Sequence, residues 1–122
     1  MVTVKTKSIY DPVEPEDGVR ILVMRIHPRG FSNKRLSCEF KFKDLAPSKR
    51  LLLQYRVGMV SWEYFVILYR NEMENSETAK MIIRGIAEGG YGETVTLLCW
   101  ERGTEHCHRF ILKQLIEEAA KK

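Results

Sequence analysis

The chain has 122 residues, 44% of them hydrophobic and 30% charged, with a formal net charge of +4. That length suits one domain, residues 1–122, with a core of its own, and the balance of apolar and charged residues excludes a disordered chain. No apolar run approaches the roughly 18 residues that cross a bilayer, the segment MVTVKTKSIYDP lacks the continuous apolar stretch of a secretory leader, and three cysteines make no disulfide framework; the expectation is a cytoplasmic protein without a membrane partner.

Residues 1–60 carry twelve Lys/Arg against six Asp/Glu, whereas residues 61–122 carry eight against ten. An anionic partner would therefore meet the N-terminal half first, although a modest excess of charge also serves solubility alone.

The opening segment VTVKTKSIY reads as a strand and is ended by the Pro/Asp/Gly turn DPVEPEDG. In VRILVMRI, Val19, Ile21 and Val23 fall on one alternation set and Leu22, Met24 and Ile26 on the other. Such a strand is expected to be buried on both faces, as in a parallel sheet covered by helices. In RLSCEFKFK, Leu36, Cys38, Phe40 and Phe42 alternate with Ser37, Glu39, Lys41 and Lys43, which predicts a half-exposed strand at an edge. Ser48 is placed to cap a short helix bearing Leu51, Leu52 and Tyr55. Beyond Gly58, the spacing of Trp62, Phe65, Val66, Tyr69 and Met73 makes one apolar helical stripe, a core pattern. A third helix follows Ser76, with Ala79, Ile82, Ile83 and Ile86 inward, and stops at EGGYG. TVTLLCW is a last strand, apolar on both faces, and Thr104 is expected to cap a helix running to the C-terminus. The order predicts a single α/β layered domain with a mostly parallel sheet flanked by helices.

In open parallel sheets, ligands bind beyond the carboxyl ends of the strands. RIHPRG delivers Arg25, His27, Arg29 and Gly30 to one such end, and CWERGTEHCHR delivers Cys99, Glu101, Cys107, His108 and Arg109 to another. If the two strands are neighbours, both groups meet at one rim. Arg25, Arg29 and Arg109 suit bidentate binding of phosphate, sulfate or carboxylate. With Thr104 as cap, Cys107 is the third helical residue, where the helix dipole favours a thiolate. Cys107 is then expected to ionise most readily, Cys38 least, and Cys99 between them. His27, His106 and His108 can exchange protons near neutrality.

Plainer readings stand beside these. Cys38 and Cys99 suit packed thiols. His108 shares a helical face with Leu112, Leu115 and Ala119 and suits a hydrogen-bonded core histidine, while His106 points to solvent. Arg25, inside an apolar strand, must find a partner if buried. Nine residues separate Cys99 from Arg109, too many for a thiol-phosphatase loop. There is no CxxC pair, and Cys99 and Cys107 are widely spaced along the chain, so neither metal nor cofactor is expected. Neither GxGxxG nor GxxxxGK[ST] occurs.

The sequence resembles the YeaO-like family, domain of unknown function 488, over nearly its full length. The resemblance is carried by IYDPVEPEDGVRILVMRIHPRG, by LAPS, by WEYFVILYRNEM and by the TLLC strand. CWERGTEHCHR looks like a variant branch with a cysteine–glutamate pair and a Cys-His-Arg helix start. The resemblance implies an α/β fold and, as site residues, Tyr10, Asp11, Arg25, Pro28, Arg29, Gly30, Cys99, Glu101, Cys107, His108 and Arg109. Two positions depart from the family pattern: Met24 stands where an acidic residue is usual, and His27 where tryptophan usually precedes Pro-Arg-Gly.

The catalytic expectation thus falls on Cys99, Cys107 and His108. The ligand-binding expectation falls on Tyr10, Asp11, Arg25, His27, Arg29, Gly30, Glu101 and Arg109. The expected function is binding of a small anionic ligand, phosphorylated or nucleotide-like, at the strand ends. The alternatives are nucleic-acid binding through the basic N-terminal half and a thiol redox or sulfur-transfer role.

Overall fold

A computed structural model describes residues 2–101 and 106–121. Strand β1 (Thr3–Ser8) pairs parallel with β4 (Thr94–Cys99), Thr3 opposite Thr94 and Ser8 opposite Cys99. On the other side of β4 lies β2 (Val19–Leu22), and β3 (Phe40–Lys41) forms the outer edge. The sheet order is β1-β4-β2-β3 with every pair parallel, an α/β arrangement. β2 and β4 are interior, as their two-sided apolar patterns require.

Serine caps open the three α-helices between β3 and β4. Ser48, Ser61 and Ser76 accept hydrogen bonds from the Leu51, Tyr64 and Ala79 amides at the heads of α2 (Lys49–Arg56), α3 (Trp62–Glu74) and α4 (Glu77–Ala87). Each cap satisfies an amide that the helix itself leaves without a partner, for about 1 kcal/mol. The apolar stripes then do what their spacing predicts. Phe65, Tyr69 and Met73 of α3 and Ala79, Ile83 and Ile86 of α4 are buried with Ile111, Leu112 and Ile116 of the last helix, α5 (His108–Ala120). They pack on Val4, Ile21, Val23, Val95 and Leu97, which all point to one face of the sheet. Each fully buried side chain of this size contributes roughly 1.5–3 kcal/mol.

The opposite face is covered differently. Leu22 and Leu98 pack on Ile9, Phe31 and Leu36, residues of the connections between strands; the one helix among them is α1 (Asn33–Leu36), a single turn. The expected strand over RLSCEFKFK is therefore corrected. Ser32 caps Arg35, and Ser37, in the left-handed region at φ 51°, returns its amide to Asn33, so the segment closes a helical turn and buries Leu36 without extending. Only Phe40 and Lys41 reach the sheet, opposite Ile21 and Leu22. The edge position and the exposed Lys41 and Lys43 agree with the pattern. VRILVMRI is likewise shorter as a strand than its alternation suggests: after the Val23 amide bonds Leu98 O, the chain leaves the sheet and Ile26 is exposed.

Beneath that second face lies a buried ionic cluster that the sequence pattern does not mark. Asp17 Oδ2 is 2.5 Å from Arg20 Nη1, and its Oδ1 is 2.7 Å from Lys7 Nζ. The Asp17 carbonyl accepts from Thr96 Oγ1 at 2.7 Å, and Arg20 also donates to Leu36 O and Ser37 O. Asp17 thus ties three strands together, β1 and β2 through its carboxylate and β4 through its carbonyl. Gly18 makes this possible: at φ 64° it brings the chain so close to β4 that a Cβ would stand 2.2 Å from Thr94 O. No side chain fits there.

Candidate functional site

The carboxyl ends of β1, β2 and β4 open into a cavity of about 450 Å³, within the range of small-ligand sites. Both segments singled out by the sequence reach it. Arg25, His27 and Arg29 line it from the chain after β2, and Cys99, Trp100, Glu101 and His108 line it from the end of β4 and the start of α5. Tyr10 contributes from the end of β1, its ring edge-on to Phe31 at 5.2 Å. Arg25 is partnered, as a half-buried guanidinium must be: Nε donates to Pro47 O at 3.2 Å and Nη2 to Ala46 O at 3.4 Å. His27 is fixed through Nε2, 2.5 Å from Phe31 O, with Lys41 Nζ at its Nδ1.

The helix α2 supplies a wall that sequence reasoning missed. Lys49, Leu52, Leu53 and Arg56 all line the cavity. Their spacing at i, i+3, i+4 and i+7 puts them on one helical face, and that spacing was the available signal. Among the described residues, four cationic side chains, Arg25, Arg29, Lys49 and Arg56, thus border the cavity together with a single carboxylate, Glu101.

At the floor, two thiols, a carboxylate and an imidazole converge. Cys99 Sγ lies 2.8 Å from Glu101 Oε2, Cys107 Sγ lies 3.5 Å from the same oxygen, and His108 Nδ1 is 3.9 Å from each sulfur. His108 Nε2 is 2.7 Å from Val23 O. A carbonyl can only accept, so Nε2 carries a proton, and Nδ1 is the ring nitrogen turned to the thiols. The ring is buried and met edge-on by Tyr69, whose hydroxyl donates to Leu45 O at 2.6 Å. The plain and the functional readings of His108 therefore both describe it: a core histidine, hydrogen-bonded, with one nitrogen left facing reactive groups.

The two thiols ionise unequally. The hydrogen bond from Cys99, working against burial and reinforced by His108, brings Cys107 down to about 5. The same bond with Cys107, together with burial, pushes Cys99 far up. Cys99 is thus not intermediate between Cys107 and Cys38, whose thiol is raised by burial on the other face of the sheet. Arg109 Nη1, 3.7 Å from Cys107 Sγ, favours the same sulfur as the thiolate. Burial works against the Glu101 carboxylate, but hydrogen bonds from Cys99 and its own amide hold it below the usual range.

The expectations for Cys107, Arg109, Asp11 and Gly30 change in this light. Thr104 lies outside the described residues, and α5 begins at His108 with Cys107 as its N-cap, extended at φ −126°, so Cys107 is not the third helical residue. His106 is exposed, as expected, and stacks on Trp62 with centroids 4.6 Å apart. Arg109 does not line the cavity: it is buried behind the thiols, donating to Glu101 O at 2.8 Å with its guanidinium 4.8 Å from the Phe110 ring. As the second residue of α5 it is turned away from the rim, which removes it from the expected arginine clamp. Asp11 and Gly30 also stand off the cavity. Asp11 Oδ2 accepts the Ser8 amide at 2.9 Å, and Gly30, at φ 84°, lets the chain turn so that Phe31 N reaches Pro28 O.

Of the donor atoms at the floor, Cys99 Sγ, Cys107 Sγ and His108 Nδ1 lie within 4.8 Å of one another and form a set that could hold a metal ion. Among the described residues, no helix is long and apolar enough to cross a membrane.

Comparison with known proteins places this arrangement in a family. Residues 4–120 match the model described as the active DUF488-N3 subclade. The uncharacterized protein YeaO of Escherichia coli (strain K12) is 30% identical over 111 residues, covering 91% of this chain and 94% of that protein. The uncharacterized proteins Mb3100c of Mycobacterium bovis and Rv3073c of Mycobacterium tuberculosis (strain H37Rv) are each 29% identical over 117 residues, covering 93% of this chain and 92% of theirs. No solved structure matches the chain significantly. With its YDP turn, its Pro-Arg-Gly rim and the match from residue 4 to 120, the chain belongs to the YeaO-like family of domain of unknown function 488.

Proposed function

We propose that the strand-end cavity binds a small anionic ligand, phosphorylated or nucleotide-like. The observation that carries this reading is the lining itself, which among the described residues sets four cationic side chains against one carboxylate around a cavity at the carboxyl ends of parallel strands. Arg29 and Arg56 are exposed and free to close on an oxyanion, while Arg25 is held in place by two carbonyls. The remaining wall is apolar and aromatic, with Met24, Leu52, Leu53, Trp100 and Tyr10, which suits a ligand carrying a flat or apolar body beside its charge. Cys99, Glu101 and His108 at the floor then face whatever part of the ligand lies deepest.

Isothermal titration with inorganic phosphate and a series of nucleoside mono- and diphosphates tests the reading. Binding is expected to weaken by roughly 1.5–3 kcal/mol in Arg29→Ala, the range for a charged hydrogen bond, with the melting temperature unchanged. A steep salt dependence for oligonucleotides, with no binding of mononucleotides, would instead support the nucleic-acid alternative. Equal affinity of wild type and the Arg29→Ala/Arg56→Ala double variant for every phosphate would end the anion reading.

A further inference from the structure

We propose that Cys99 Sγ, Cys107 Sγ and His108 Nδ1 form a binding site for a thiolate-preferring divalent metal ion, zinc by the chemistry of the set, with its free coordination position turned to the cavity. The donors decide the class of ion. Two sulfurs and an imidazole nitrogen suit zinc and its close analogues and do not suit magnesium or calcium, which take oxygen ligands. The spacing agrees: metal–ligand bonds of about 2.0–2.3 Å place tetrahedral ligand atoms roughly 3.5–3.8 Å apart. Here both sulfur–nitrogen distances are 3.9 Å, and all three atoms lie within 4.8 Å of one another.

The orientation of His108 is the independent observation. A histidine ligand offers one nitrogen to the metal and gives its other N–H to a carbonyl or carboxylate, which fixes the tautomer. His108 has that arrangement before any metal is considered: Nε2 donates to Val23 O at 2.7 Å, and Nδ1 faces the sulfurs. The ligands also stand on rigid supports. Cys99 ends an interior strand, Cys107 caps α5 and His108 opens it. Two thiolates balance a divalent ion, and Arg109 Nη1 beside Cys107 and Glu101 Oε2 beside both sulfurs offset one another. Of the three ligands, Cys99 and His108 line the cavity, so the site has an approach from the ligand side, the form taken by catalytic rather than structural zinc. Binding releases the thiol protons that remain and forms two metal–sulfur bonds and one metal–nitrogen bond, with no change of oxidation state.

The inference is independent of anion binding and is tested without a phosphate ligand. The reduced, chelator-treated chain is titrated with cobalt(II) and then with zinc. The expected result is one cobalt per chain, with intense visible bands of tetrahedral cobalt and near-ultraviolet thiolate charge-transfer bands, both abolished by zinc. Cys99→Ser and Cys107→Ser should each weaken cobalt binding by roughly 100-fold or more, because even an outer partner of a ligand is worth about 10- to 100-fold. Cys38→Ser, on the far face of the sheet, should leave it unchanged, and circular dichroism checks that each variant is folded. The wild-type spectrum decides by itself if a variant does not fold. A weak octahedral cobalt spectrum in the wild type, or tetrahedral bands that persist in both Cys99→Ser and Cys107→Ser, would overturn the site.

Discussion

The chain buries two polar clusters against one sheet, and they are built on opposite rules. Around Asp17, each carboxylate oxygen has a cation, the carbonyl has Thr96, and the guanidinium of Arg20 spends its other donors on Leu36 and Ser37. Nothing is left to face a ligand. Around Cys99 and Cys107, one carboxylate oxygen serves two thiols, an imidazole nitrogen looks at both from 3.9 Å, and three of the four residues line a cavity. A closed cluster holds strands together. A cluster that leaves donor atoms directed at one another beside a cavity is arranged for something that comes and goes.

The largest expected effect would break this contrast if it failed. Asp17→Ala leaves Arg20 and Lys7 without their shared carboxylate beneath the sheet and should cost about 3–5 kcal/mol of stability, the range for breaking a buried pair from one side. Denaturant titration measures it, and a loss below about 1 kcal/mol would mean that the cluster does not hold the strands. Gly18→Ala should follow at about 2–3 kcal/mol, since the new Cβ meets the Thr94 carbonyl at a positive φ; a neutral result would show that the turn can move off β4.

Acid sharpens the comparison. Burial opposes the charge on Asp17, but hydrogen bonds from Lys7, the Glu14 amide and Arg20 hold its pKa below the ordinary aspartate value. A carboxylate depressed in the folded state contributes stability that is complete above its unfolded pKa and is lost as pH falls through the folded one. Wild type should therefore lose stability with falling pH below about 4, and Asp17→Asn should flatten that slope while lowering stability at neutrality. Parallel acid profiles for the two proteins would contradict the assignment.

The smallest effect belongs to the cavity. Glu101→Gln keeps the shape of the side chain and the backbone carbonyl that Arg109 uses, so its cost should stay within about 1 kcal/mol. A thermal melt that fell as far as in Asp17→Ala would make Glu101 a structural residue and erase the difference between the two clusters.

Much of the fold was readable from residue order. Ser48 and Ser76 announced their helices, the α3 stripe from Phe65 to Met73 faced the core as spaced, and the two-sided apolar runs at Ile21–Val23 and Val95–Leu98 were interior strands. The misreading at RLSCEFKFK has a local cause. Alternation says which residues share a face only if the backbone is extended, and a serine cap at Ser32 with left-handed Ser37 bends that segment into a turn. The rim residues Arg25, His27, Arg29, Cys99, Glu101 and His108 were also legible, because they follow apolar runs that end abruptly.

What the sequence determined is the set of local choices, since caps, turns and apolar periodicity act over a few residues and stabilise each element where it stands. The tertiary structure alone decided which ends meet. Insertion of β4 between β1 and β2 brings Val23 O to His108 and Cys99 to Cys107, turns α2 so that Lys49 and Arg56 face the cavity, and leaves Arg109 behind the thiols. Spacing along the chain puts Lys49 and Arg56 on one face of α2 but does not say what that face meets. The joining of Val23 to His108 and of Cys99 to Cys107 has no such signature, because those separations are set by strand order and helix packing.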